Sequence, residues 1–99
     1  MIHVRKVLPE YFEALRTGRK RFELRKEEPD EPSFAVGDFL AVNEYEPTLE
    51  PLAECYTGRC LLFEILYVLR NYDAYLTEGT AVLSLSLRPL SPDDVAAIR

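Results

Sequence analysis

Hydrophobic and polar positions alternate from Ile2 to Leu8, with Ile2 and Val4 on one face and His3, Arg5 and Val7 on the other, which predicts a first strand. Pro9 suits the first turn of a helix, where its missing N–H costs nothing. Tyr11, Phe12 and Leu15 follow as an apolar stripe at three- and four-residue spacing, and Gly18 is a left-handed stop. A short helix over about 9–17 is therefore expected to pack on the sheet. From Lys20 to Lys26 the period returns to two, which predicts a second strand with Phe22 and Leu24 facing the core and Arg21, Glu23 and Arg25 facing out. The stretch EEPDEPS at 27–33 combines acids with prolines and reads as an exposed loop.

Val36-Gly37-Asp38 looks like a turn feeding a third strand, Phe39 to about Glu46, and Pro47 to Thr57 reads as a loop. The longest apolar run, Cys60 to Leu69, sets Phe63, Ile65, Tyr67 and Leu69 against Leu62, Leu66 and Val68, a pattern that predicts burial of both faces. Asn71 to Gly79 is a connection. Ala81 to Leu87 alternates cleanly, with Leu83, Leu85 and Leu87 inward and Ser84 and Ser86 outward. Ser91-Pro92-Asp93-Asp94 places an N-cap, a first-turn proline and acids where a helix dipole favours them, so a short C-terminal helical turn is expected. Five strands with one helix between the first two predict an α+β fold, a small mixed five-stranded β-barrel. Residues 1–90 form the expected domain and 91–99 its tail.

A chain of 99 residues holds one core, and 47% hydrophobic against 29% charged residues is globular rather than disordered usage. No window approaches the roughly 20 apolar residues of a membrane span, and the first residues lack the apolar run of a secretory signal; no membrane association and a cytoplasmic location are expected. Two cysteines and the single histidine His3 do not make a zinc site, and no metal or cofactor is expected. Cys60 opens an apolar run and reads as a small core residue, whereas Cys55 falls in a polar loop. The net charge of −5 argues against indiscriminate binding to nucleic acid, but the charge is unevenly placed. Residues 1–26 carry eight basic groups against three acidic ones, +5 in balance, and the remainder carries four against fourteen, −10 in balance. Such asymmetry suits a positive patch for a specific anionic ligand; the plainer alternative spreads the cations over different faces.

The sharpest local pattern is Gly18-Arg19-Lys20-Arg21-Phe22-Glu23-Leu24-Arg25. A helix ending at Gly18 and a strand starting near Lys20 place Lys20 at the mouth of the barrel, in reach of a ligand above the core. Glu23 and Arg25 share one parity and are close enough to pair, so the arginine can orient the carboxylate or grip a phosphate or base edge itself. The plainer alternative is an ordinary surface ion pair.

This octapeptide resembles the G-x-K-x-x-E-x-R motif of ASCH domains, in the PUA-like superfamily. The likeness continues through His3, Pro9-Glu10-Tyr11-Phe12, Val36-Gly37-Asp38, Asn43-Glu44-Tyr45 and Tyr56-Thr57-Gly58-Arg59, over most of residues 2–87, and is that of a branch catalogued as a domain of unknown function. The resemblance implies a PUA-like barrel that binds RNA or a modified nucleotide in a cleft lined by Lys20, Glu23 and Arg25. Tyr45, Tyr56 and Tyr72 are aromatics available to stack a base, and Arg59 sits in a glycine turn where its side chain extends freely. Some relatives look like small amidohydrolases acting on an acylated cytidine through a lysine, a threonine and a glutamate. Here Lys20 matches the lysine, Glu23 stands where the threonine would be, and Glu44 or Glu78 is left to supply the glutamate; Lys20 and Glu23 would then be catalytic. A third reading makes the EEPDEP loop a protein-interaction module. On the binding reading, Lys20→Ala with Arg25→Ala is expected to abolish nucleotide binding while barely moving the melting temperature.

Overall fold

Six elements form in the order β1 (Ile2–Val7), α1 (Pro9–Arg16), β2 (Phe22–Lys26), β3 (Phe39–Tyr45), β4 (Tyr56–Leu69) and β5 (Thr80–Leu85). The computed structural model describes residues 1–48, 55–71, 75–86 and 88–91. The five strands make one mixed sheet ordered β1-β3-β4-β5-β2. β1 runs parallel to β3, from Ile2↔Phe39 to Val7↔Glu44, and every other pairing is antiparallel. In α1, Pro9 sits in the first turn and Phe12 and Leu15, three apart, are buried, while Tyr11 lies off that stripe and stays exposed. Gly18 has φ 79°, a conformation that only glycine adopts cheaply, and it turns the chain out of the helix toward β2.

The core joins Phe12 and Leu15 of α1 to Val7, Leu40, Val42, Phe63, Ile65, Ala81, Leu83 and Leu85 of the sheet, with Phe34 inserted from the loop before β3. No helix among the described residues is long and apolar enough to cross a membrane. The sheet does not close as a barrel. β1 and β2 are its two edges, and no ladder joins them; instead Arg25 reaches from β2 and donates from Nη2 to the carbonyl of Lys6 on β1 at 2.8 Å. Closing that seam would take Lys20 and Arg25 out of water with one carboxylate between them, and an uncompensated buried cation costs more than a few ladder hydrogen bonds return.

β2 faces the opposite way from its sequence pattern. Glu23 is 3% exposed, whereas Phe22 and Leu24 are 49% and 56% exposed. The cause is register: Glu23 pairs with Leu83 and Arg25 with Ala81, while Phe22 and Leu24 pair with Ser84 and Val82. Paired residues share a face of the sheet, and the leucines of β5 win the interior. β4 also departs from expectation, because Leu66 and Tyr67 are exposed and only one face is fully buried. A register shift between Ile65 and Tyr67 inserts one residue, so Ile65 opposite Leu85 and Val68 opposite Leu83 both point inward despite unequal parity. The cysteines exchange roles: Cys55 is buried, and Cys60, opposite Asn43, is exposed because Leu61 and Phe63 take the inward positions. The expected helical turn after Ser91, the end of β5 at Leu87, and Tyr72 lie outside the described residues.

Two carboxylates tie the turns to the sheet. Glu27, at the start of the loop otherwise exposed from 28 to 33, accepts from Arg70 Nε at 2.6 Å and from the backbone N–H of Phe34 at 3.0 Å. Asp38 accepts from His3 Nε2 at 2.8 Å and from the N-terminal amine at 3.3 Å, and His3 is buried against the Phe34 ring. The Arg70 hydrogen bond lowers the Glu27 pKa, and the His3 hydrogen bond lowers that of Asp38. Groups with depressed folded pKa values contribute stability that is whole above their ordinary pKa and is lost as pH falls through the folded value. Glu27→Gln is accordingly expected to cost about 1 kcal/mol at neutral pH, a fall of about 4–8 °C in Tm, with the gap to wild type shrinking below about pH 4. Thermal melts at pH 7 and pH 3 check this; a gap that widens on acidification would reverse the assignment.

Candidate functional site

The open seam between β1 and β2 is a cleft of about 390 Å³, lined by Lys6, Val7, Leu8, Tyr11, Lys20, Glu23, Leu24 and Arg25. Gly18 returns the chain so closely that the Lys20 amide donates to the Ala14 carbonyl at 3.0 Å. That turn brings the Lys20 ammonium over the Tyr11 ring, 4.9 Å from its centroid, and within hydrogen-bond reach of Glu23 Oε1. The other carboxylate oxygen of Glu23 accepts from Arg25 Nε at 2.8 Å. Both oxygens of the buried carboxylate are thus held by cations, and the cations themselves are only about a fifth exposed (20% and 21%). With Lys6, three cations face one carboxylate, so the cleft carries +2 on a chain whose net charge is −5. Of the other basic residues of the first segment, Arg5 pairs with Glu31, Arg16 with Glu13 and Lys26 with Glu28, while Arg19 donates to Thr17 Oγ1 at 3.2 Å and Arg21 to the Gly18 carbonyl at 3.0 Å.

A second hollow of about 260 Å³ lies where β3 meets the start of β4, lined by Asn43, Glu44, Tyr56, Gly58 and Arg59. The register shifts between Asn43↔Cys60 and Tyr45↔Tyr56, leaving Thr57, Gly58 and Arg59 opposite Glu44 alone. Gly58 takes φ 88° to make this bulge. The bulge folds two donors onto buried Glu44: Thr57 Oγ1 at 2.7 Å and Arg59 Nη1 at 3.4 Å. Arg59 also donates to Glu13 of α1 at 2.6 Å and lies over the Phe12 ring. Glu13 is held ionised down to about 2 by its hydrogen bonds from Arg16 first and then Arg59.

Residues 2–85 match the family model described as a domain of unknown function, DUF3850. The chain belongs to this family. Among solved structures, the crystal structure of a point mutant of ZmASCH from Zymomonas mobilis superposes with a TM-score of 0.59, covering 99% of this chain and 81% of that one at 16% identity. At that identity the likeness is one of fold, and the DUF3850 domain has an ASCH-like fold whose sheet stays open. Among curated proteins none matches.

Of the residues singled out from the sequence of this DUF3850 member, Lys20, Glu23 and Arg25 converge in one cleft. Arg59 lines the second hollow instead, and Tyr45 lines neither; its ring is packed between Lys6, 4.5 Å from its centroid, and Tyr56, 5.1 Å away and edge-on. Sequence reasoning passed over Lys6 and Tyr11. Helical spacing gave no warning for Tyr11: it stands four residues before Leu15, about 40° around the helix from it, yet it is exposed. Lys6 carried no signal beyond its charge. Among the described residues, no lysine–threonine–glutamate arrangement is assembled around Lys20. Thr57 does pair with Glu44, but that glutamate lines the second hollow, and Glu78 does not line the cleft.

Proposed function

We propose that the domain binds single-stranded RNA or a modified nucleotide, with a phosphate held in the seam cleft by Lys6, Lys20 and Arg25. The observation that carries this reading is that the three cations are not consumed by the fold. An ammonium has three donors and Lys20 uses one on Glu23, while among the described residues Arg25 Nη1 donates to none and Lys6 meets only the Tyr45 ring. Glu23 acts as the orienting group, fixing both cations so that their remaining donors point into the cleft. Tyr11, 45% exposed beside Lys20, offers a ring on which a base can stack. A volume of about 390 Å³ is near the lower end for ligand sites and takes one nucleotide, not a duplex. The ASCH-like fold supports the reading by analogy.

Anisotropy titration with a fluorescent pool of single-stranded RNA tetranucleotides tests it. Wild type is expected to bind, and Lys6→Ala to weaken binding several-fold while lowering the slope of log K against log salt by about 0.7. Lys6 lies outside the ion triad, so stability is expected to stay within about 0.5 kcal/mol. Absence of binding by wild type, or an unchanged salt slope in Lys6→Ala, would remove the seam cleft as a phosphate site.

A further inference from the structure

The second hollow differs from the seam cleft in charge. Its lining cation, Arg59, is shared between the carboxylates of Glu44 and Glu13, so a phosphate gains nothing by entering. What the hollow offers is suited to an uncharged heteroaromatic ring. Tyr56 is half exposed and is held edge-on by Tyr45 at 62° between ring planes, leaving a ring face for stacking. The side-chain amide of Asn43 makes no hydrogen bond to a described residue, and it presents both a donor and an acceptor to a base edge.

The two hollows are also joined. Lys6 and Asn43 are register partners on adjacent strands, one strand spacing apart on the same face. Lys6 lines the cleft and lies over Tyr45, Tyr45 packs on Tyr56, and Asn43 and Tyr56 line the hollow. The path from cleft to hollow therefore crosses a single cation set on a pair of aromatic rings.

We infer that the hollow formed by Asn43, Tyr56 and the Glu44–Arg59 pair is a second base subsite, so that the ligand is a strand of at least two nucleotides whose linking phosphate crosses Lys6. This rests on the proposed nucleotide-binding cleft and extends it. The alternation of a positive cleft with a neutralised, aromatic hollow matches the alternation of phosphate and base along a single strand. The buried carboxylate of Glu44 holds Arg59 against the Phe12 ring and so fixes one wall of the subsite.

The test compares a mixture of the four 5′-ribonucleoside monophosphates with pooled 5′-phosphorylated ribodinucleotides, by calorimetry on the intact chain. In wild type the dinucleotides are expected to bind roughly five- to 150-fold more tightly, the gain of stacking one further base. Tyr56→Leu, which keeps an apolar side chain against Tyr45, is expected to erase that gain and to leave mononucleotide affinity unchanged; the mononucleotide arm doubles as the control for folding. Equal wild-type affinity for both probes, with mononucleotide binding intact, overturns the second subsite and spares the first. A gain that survives Tyr56→Leu places the additional base elsewhere and also overturns it. Binding of neither probe overturns the cleft and the subsite together.

Discussion

Glu23→Ala is expected to be among the most destabilising single substitutions in the domain, costing about 3 kcal/mol and lowering Tm by roughly 12–24 °C. The reason is electrostatic more than steric. Among the described residues Glu23 is the only carboxylate between Lys20 and Arg25, and its two oxygens are the partners of both. Removing one member of a buried ion cluster leaves the others desolvated and mutually repelling, which costs about 3–5 kcal/mol in interiors. Lys20 and Arg25 retain about a fifth of their surface, so water relieves part of this and the lower figure applies. Against a total of about 5–15 kcal/mol for a domain of this size, such a loss is large. The same logic corrects the expectation that Lys20→Ala with Arg25→Ala leaves the melting temperature nearly unchanged: it strips both partners from a carboxylate that is almost fully buried. Denaturant melts of Glu23→Ala check the figure, and a loss below about 1 kcal/mol would show that Glu23 is better solvated than its burial indicates.

The triple replacement Lys20→Met, Glu23→Leu, Arg25→Met separates folding from binding. Exchanging a whole buried ion cluster for apolar residues of similar volume is often neutral or stabilising by about 1–4 kcal/mol, because three desolvation penalties disappear with the attractions. Stability equal to or above wild type is therefore expected. Binding of the RNA tetranucleotide pool is expected to fall by about 10²- to 10⁴-fold, the loss of two charge-assisted contacts of about 1.5–3 kcal/mol each. A stable triple variant that still binds would dismiss the seam as the binding site. A variant that fails to fold would show that the charges serve the scaffold itself, through contacts such as that from Arg25 to the Lys6 carbonyl.

Local signals carried far in this chain. The helix was legible to within a residue from Pro9, from Phe12 and Leu15, and from Gly18, because caps and a helical stripe are read over a few neighbouring positions. β5 was legible because three leucines alternate with serines, and Ala81, Leu83 and Leu85 are indeed buried. The spacing of Lys20, Glu23 and Arg25 correctly announced a cluster. Its direction was misread: on hydrophobicity Phe22 and Leu24 belong inside, yet they lie outside and the charges lie within. β4 was misread for a related reason, since an inserted residue leaves no mark in an apolar run and reverses parity beyond it. The places of Arg59 and Tyr45 were not legible, because the bulge at Gly58 sets Arg59 in a different hollow from Lys20 and Tyr45 packs between Lys6 and Tyr56, lining neither hollow.

By itself the order of residues determined the elements, the turn at Gly18 and the cluster of charges that follows it, since each depends on contacts within one or two turns of chain. Only the tertiary structure decided that the sheet stays open, that Glu23 is buried, and that Lys6 and Tyr11 join the cleft. A strand of period two offers two faces of nearly equal standing, and the choice between them belongs to the strand it pairs with. Here β5 made that choice: its leucines occupied the core, and the charged face of β2 had to turn inward with them, leaving an open seam lined by three cations.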